Sequence, residues 1–91
     1  MSEKVREYIS FEGRVQGGGF RYRLSHLAGH YGVTGWVRNE YDGSVSAELQ
    51  GLSGEIDLII QSLGQDRYIR IDRVTRKRRE TMPEERGFRV R

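Results

Sequence analysis

The chain has 91 residues, with 16 Lys and Arg against 13 Asp and Glu, a net charge of +3. That length suits a single domain over 1–91, and the pI near 9.6 rests on three charges, which fits anionic ligands without marking a nucleic-acid binder. The absence of cysteine excludes disulfide scaffolds, thiolate metal sites and thiol chemistry. No run approaches the roughly 20 apolar residues of a membrane span, and Met1-Ser2-Glu3-Lys4-Val5-Arg6-Glu7 has no apolar stretch like that of a secretory signal, so a cytoplasmic protein is expected.

Val5, Ile9 and Phe11 alternate with Arg6, Ser10 and Glu12, which predicts a strand with one buried face; Glu7 and Tyr8 interrupt the alternation. Gly13 to Gly19 holds four glycines in seven residues and reads as a loop. Phe20, Leu24, Leu27, Ala28 and Tyr31 then form one helical stripe, with Gly32 placed as a left-handed cap, so a helix is expected over about 20–31. Strands follow at 35–39 and 44–50, joined by Glu40-Tyr41-Asp42-Gly43, where Asp-Gly is expected to supply positive φ angles. Ser53 reads as the N-cap of a second helix carrying Glu55 in its first turn, the stripe Ile56, Ile59, Ile60, Leu63, and Gly64 at its end. Residues 69–80 alternate in part, and the switch of parity at Val74 suggests a bulge or bend; 87–91 is a short last strand. This order predicts an α+β fold: a ferredoxin-like βαββαβ sandwich, an antiparallel sheet with both helices on one face.

Two segments offer chemistry. In Gly13 to Arg23 a glycine loop runs directly into a helix. Without side chains, loop N–H groups can converge on a small anion, the helix N-terminus adds unpaired donors, and Arg21 adds a planar charged fork. The same residues would also make a plain turn before a helix. Neither a Walker loop nor a dinucleotide fingerprint fits, since no Gly-Lys-Ser/Thr follows and Tyr22 stands at the third glycine position. Asn39, ending a strand before a hairpin, is either a turn former or an amide that donates to and accepts from a water molecule.

Gly13-Arg14-Val15-Gln16-Gly17-Gly18-Gly19-Phe20-Arg21 resembles the phosphate-binding signature of acylphosphatases. Gly35-Trp36-Val37-Arg38-Asn39, with Asp42-Gly43 and Val45, resembles their second signature, and length, element order and Gly87-Phe88-Arg89-Val90 extend the likeness over nearly the whole chain. The resemblance implies hydrolysis of carboxylic–phosphoric anhydrides to a carboxylate and phosphate. It makes Val15, Gln16, Gly17, Gly18, Gly19, Phe20 and Arg21 the phosphate loop, with Arg21 binding substrate and Asn39 orienting the attacking water. No metal or cofactor is implied; the partners are a small acyl phosphate and inorganic phosphate as product and inhibitor, with no membrane and a monomeric chain. Gly18 departs from the family, which usually has valine there. The extra glycine is expected to loosen the loop and weaken activity, and valine at 18 to restore both if φ is negative. The loop 64–68 also lacks a proline often found in the family.

Other readings compete. His26 and His30, at i and i+4, could share a metal but fit a solvated helix face, and no third ligand is near in sequence. Trp36 reads as packing rather than a stacking platform. Arg67 to Arg79 holds seven of the 16 basic residues; it could serve a nucleic-acid-binding domain of the same architecture, although strand aromatics typical of that class are not evident, or it could guard an edge strand. A module cut from a larger carbamoyl-transfer maturation protein would share both motifs; the starting Met1 and the single-domain length are read against it.

Overall fold

The first alternating run belongs to a longer strand, β1 (Lys4–Arg14), in a computed structural model that describes residues 3–91. The starting Met1 lies outside the described residues. β1 is followed by α1 (Phe20–Tyr31), β2 (Thr34–Asn39), β3 (Val45–Leu52), α2 (Ser53–Gly64), β4 (Arg70–Arg79) and β5 (Phe88–Val90). The sheet order is β4-β1-β3-β2-β5. β1 pairs antiparallel with β3 and β4, and β2 antiparallel with β3. The expected antiparallel sheet thus holds for four strands; β5 adds a fifth that runs parallel to β2, with Gly35 opposite Phe88 and Val37 opposite Val90.

The alternation of β1 is unbroken. Glu7 shares the helix-facing parity and is buried there because Arg76 on β4 grips its carboxylate with Nε at 2.7 Å and Nη2 at 2.9 Å. Tyr8 lies on the opposite face beside Trp36, ring centroids 6.5 Å apart. The parity switch in β4 is a bulge: Glu12 pairs Arg73 and Gly13 pairs Ile71, so Asp72 is the extra residue, and Ile71 and Val74 return to the same face.

The core lies between the sheet and the two helices. Ile9, Phe11, Val37, Ala47 and Leu49 meet Phe20, Leu24 and Ala28 of α1 and Ile56, Ile59 and Leu63 of α2, all buried. Each large apolar side chain so buried contributes about 1.5–3 kcal/mol. The contact that matters most for position is Phe11 against Phe20, edge to face at 5.0 Å, because it seats the first residue of α1 on β1. Gly32 closes α1 in the left-handed conformation, as its place after the stripe predicts (φ 69). Ser53 is not a cap: it is the first residue of α2, Leu52 holds the N-cap position, and no side chain caps that end. In the β2–β3 turn only Gly43 takes a positive φ (93); Asp42 instead accepts hydrogen bonds from the Ser44 N–H (2.9 Å) and hydroxyl (2.6 Å), an Asx-type closure that needs one left-handed residue rather than two.

Candidate active site

The loop between β1 and α1 is held at both ends. Val15 is buried in the core. Gln16 donates from Nε2 to the carbonyl oxygens of Glu40 (2.8 Å) and Ser44 (2.9 Å), which ties the loop to the turn that follows Asn39. Gly17 and Gly19 both sit at positive φ (84 and 80), where any side chain would be strained, while Gly18 between them does not. Alternating hand of this kind turns successive N–H groups toward one side, the backbone pattern of an anion nest. Gly19 is the N-cap of α1 and its carbonyl accepts the Arg23 N–H at 2.9 Å. No side chain caps this helix and its first turn carries no acid, so its leading N–H donors and partial positive charge face the loop uncompensated.

Gly18 is glycine for a different reason from its neighbours. Its φ would accept a side chain, but a Cβ there would stand 2.9 Å from the main-chain oxygen of Tyr68. The turn between α2 and β4 presses on the middle of the loop. That turn is closed by Asp66, which accepts the Tyr68 N–H at 2.8 Å and faces the Arg23 guanidinium of α1 at 3.7 Å. Gly18 and the 64–68 loop, both expected from the resemblance to depart from the usual pattern, lie against each other. Valine at 18 is therefore subject to this neighbour as well as to the φ on which the sequence expectation rests.

A cleft of about 170 Å³ opens at the loop, lined by Val15, Gly17 and Gly19, by Phe20, Arg21 and Tyr22 of α1, and by Asn39 of β2. Arg21 and Asn39, eighteen residues apart in sequence, share this one cleft. Of the expected loop residues, Gln16 and Gly18 do not line it: Gln16 anchors the loop from behind and Gly18 faces Tyr68. Arg21 as a residue is half-buried, and its Nη1 donates to the carbonyl oxygen of Arg91 at 2.7 Å at the exposed surface. Arg91 is itself held on β2 by its N–H to the Val37 carbonyl at 2.8 Å. Asn39 ends β2 opposite Val45 and is exposed. Beside it the Glu40 carboxylate accepts from the Ser46 hydroxyl and from Arg38 Nε (2.8 Å), and these two partners hold its pKa below the usual carboxylate range. The negative charge nearest Asn39 in sequence is therefore tied away from the cleft.

Sequence reading missed two contributors. In the sequence Tyr22 stands out only as a non-glycine, although its place next to Arg21 in the first turn of α1 puts it on the cleft. The carbonyl of Arg91 carries no sequence signal, because any residue supplies one. The competing motifs lie elsewhere. His26 and His30 are exposed on α1, with His30 edge-on to Tyr31. Trp36 is half-buried on the helix-free face of the sheet, with Arg38 and Arg91 over its ring at 5.2 and 4.7 Å. The basic run 67–79 contains the whole of the edge strand β4, where Arg76 is engaged by Glu7 and Asp57 and Arg70 by Asp72. Charges so placed guard an open edge. No helix among the described residues is long and apolar enough to cross a membrane.

Comparison with known proteins identifies the family. The Acylphosphatase family profile matches residues 7–90. An acylphosphatase of Geobacillus thermodenitrificans is 36% identical over 86 residues, covering 93% of this chain and 92% of its own. An acylphosphatase structure from Coxiella burnetii superposes with a TM-score of 0.87 at 25% identity, over 97% of this chain and 93% of that one. The larger HypF of T. kodakarensis contains a similar unit, TM-score 0.82 at 26% identity, matching 96% of this chain but 12% of its own length. With a profile match over nearly the whole chain and a relative more than one-third identical end to end, the chain belongs to the acylphosphatase family.

Proposed function

We propose that this chain hydrolyses the carboxyl–phosphate bond of small acyl phosphates in the cleft between the glycine loop and Asn39. The loop N–H groups and Arg21 hold the phosphoryl oxygens, and Asn39 orients the attacking water with its amide. Water attacks phosphorus in line with the departing oxygen; the P–O bond to the acyl group breaks, its electron pair leaves on the carboxylate, and the phosphoryl group gains the water oxygen. The carboxylate needs no proton, since its conjugate acid ionises at about pH 4, so no general acid is required on that side. None of the side chains lining the cleft is a carboxylate or an imidazole. The water proton is therefore assigned to a phosphoryl oxygen of the substrate. Catalysis on this scheme is positioning and charge stabilisation.

The observation that carries the reading is the meeting of Arg21, the glycine loop and Asn39 on one cleft of about 170 Å³. The match to 92% of a free-standing relative's length supports a single-domain enzyme over residues 1–91. The test is phosphate release from benzoyl phosphate by the purified chain, with EDTA present. Turnover that inorganic phosphate inhibits competitively is the expected result. Absence of turnover, or turnover indifferent to phosphate, overturns the reading.

A further inference from the structure

We infer that Tyr22 is the residue against which the acyl group of the substrate packs, and that the site favours acyl phosphates with a flat apolar or aromatic acyl group. The inference rests on the function proposed above and extends it from the phosphoryl group to the rest of the substrate.

The argument begins with size. A cleft of about 170 Å³ is well below the 300–1,000 Å³ of a pocket for a drug-sized ligand, so it does not enclose a bulky acyl group, and a substrate held by its phosphoryl group against the loop N–H groups carries that acyl group toward the rim. In-line displacement then fixes the side. The attacking water and the leaving oxygen lie on opposite sides of phosphorus. Asn39 is the one lining residue contributed by β2; every other comes from the loop and the start of α1. With water on the Asn39 side, the acyl group emerges over the loop–helix wall.

That wall offers few side chains. Val15 and Phe20 are buried at 1% and 2% exposure, the glycines have none, and Arg21 faces the phosphoryl group. Tyr22 remains, 71% exposed, with no aromatic, cation–π or hydrogen-bond partner among the described residues. A free ring at that place covers an apolar acyl group as it does any apolar surface and favours a second ring by offset or edge contact. The adjoining hollow lined by Arg38, Glu40 and Tyr41 lies against Asn39, on the water side, and in-line geometry keeps the acyl group out of it.

The test compares benzoyl phosphate with acetyl phosphate on the wild-type chain and on Tyr22→Ala, Tyr22→Phe and Tyr41→Ala. For Tyr22→Ala, kcat/KM on benzoyl phosphate is expected to fall about two- to tenfold, the range of one aromatic contact. On acetyl phosphate it should change less than twofold, and the inhibition constant of inorganic phosphate should stay put. Tyr22→Phe should behave as wild type, because the ring and not the hydroxyl makes the contact. An equal fall on both substrates, no fall on either, or a selective loss in Tyr41→Ala instead overturns the assignment. If the wild-type chain turns over neither substrate, the function itself is wrong; selective outcomes on an active enzyme bear on Tyr22 alone.

Discussion

Arg6 and Arg21 are the same side chain in opposite circumstances. Arg6 is 2% exposed on the helix-free side of β1 and every arm is occupied: Nε on Glu48 at 2.5 Å, Nη1 on Gln50 and Glu85 at 3.3 and 2.7 Å, Nη2 on Glu85 at 3.1 Å. Gln50 also exchanges two bonds with the Met82 main chain, at 2.7 and 3.0 Å, so the cluster fastens the segment before β5 across the sheet. Burial works against the Glu85 charge, but the Arg6 guanidinium, helped by Thr34 and Arg89, outweighs it and holds the carboxyl below its ordinary range. Arg21 is half-buried and makes one hydrogen bond, to the Arg91 carbonyl. A guanidinium has five N–H donors. The satisfied arginine is architecture; the one left with donors to spare, beside uncapped helix N–H groups, is available to a ligand.

That contrast predicts a double dissociation. Arg6→Ala strands two carboxylates in a partly buried site, and breaking a buried pair on one side removes about 3–5 kcal/mol of stability. Urea melts should show the loss, while the remaining folded protein binds phosphate with nearly wild-type affinity. Arg21→Ala should do the reverse. Loss of one charge-assisted donor in an organised site is worth about 2.7–4 kcal/mol, or 100- to 1,000-fold in turnover, with phosphate inhibition lost alongside it and the melt displaced little. If Arg6→Ala abolishes phosphate binding in folded protein, or Arg21→Ala unfolds the chain, the division of labour between the two arginines is wrong.

Asn39 refines the contrast within the cleft. It shares the site with Arg21 but is assigned to water rather than to phosphate. Asn39→Ala is expected to lower kcat about 100-fold and leave the phosphate inhibition constant within about threefold. Parallel loss of both would mean that Asn39 holds the loop. The fixed points of the loop argue otherwise, since the ties to the β2–β3 turn run from Gln16 to the Glu40 and Ser44 carbonyls and bypass the Asn39 side chain.

What could be read from the sequence follows the same line between local and long-range chemistry. The stripe of α1, the Gly32 cap and the glycine loop are local patterns, and the two arginine- and asparagine-bearing motifs were recognisable as such. Glu7 looked like an interruption because its partner Arg76 lies 69 residues away. Ser53 looked like a cap because capping depends on one dihedral that composition does not specify, and Leu52 takes that role with extended backbone (φ −72, ψ 137). The parallel β5 was hidden because a three-residue strand carries no sign of its direction. The departure at Gly18 was visible, but its meaning was not, since the atom it accommodates is a main-chain oxygen 50 residues on.

Gly18 gives the smallest predicted effect and tests that last point. Two terms oppose each other in Gly18→Val. Because φ at 18 is not positive, valine narrows the unfolded ensemble without backbone strain, which favours folding by about 0.4–1 kcal/mol. Against this, the new Cβ would meet the Tyr68 carbonyl oxygen at 2.9 Å, and main chain closed by the Asp66–Tyr68 hydrogen bond does not swing aside as a side-chain tip would. Overpacking of this kind usually costs about 1–3 kcal/mol. The second term is the larger, and a net loss of about 1–2 kcal/mol is expected in denaturant melts, with a modest fall in kcat/KM on benzoyl phosphate as the loop is pushed from its place. Gly18→Ala carries the same Cβ and should lose stability too. Gly17→Ala separates the causes: nothing lies within 4 Å of its Cβ, so any loss there comes from its φ of 84 alone. Should Gly18→Val prove more stable than wild type, the 65–68 turn yields readily and Gly18 is a slack point of the loop rather than the seat of that turn.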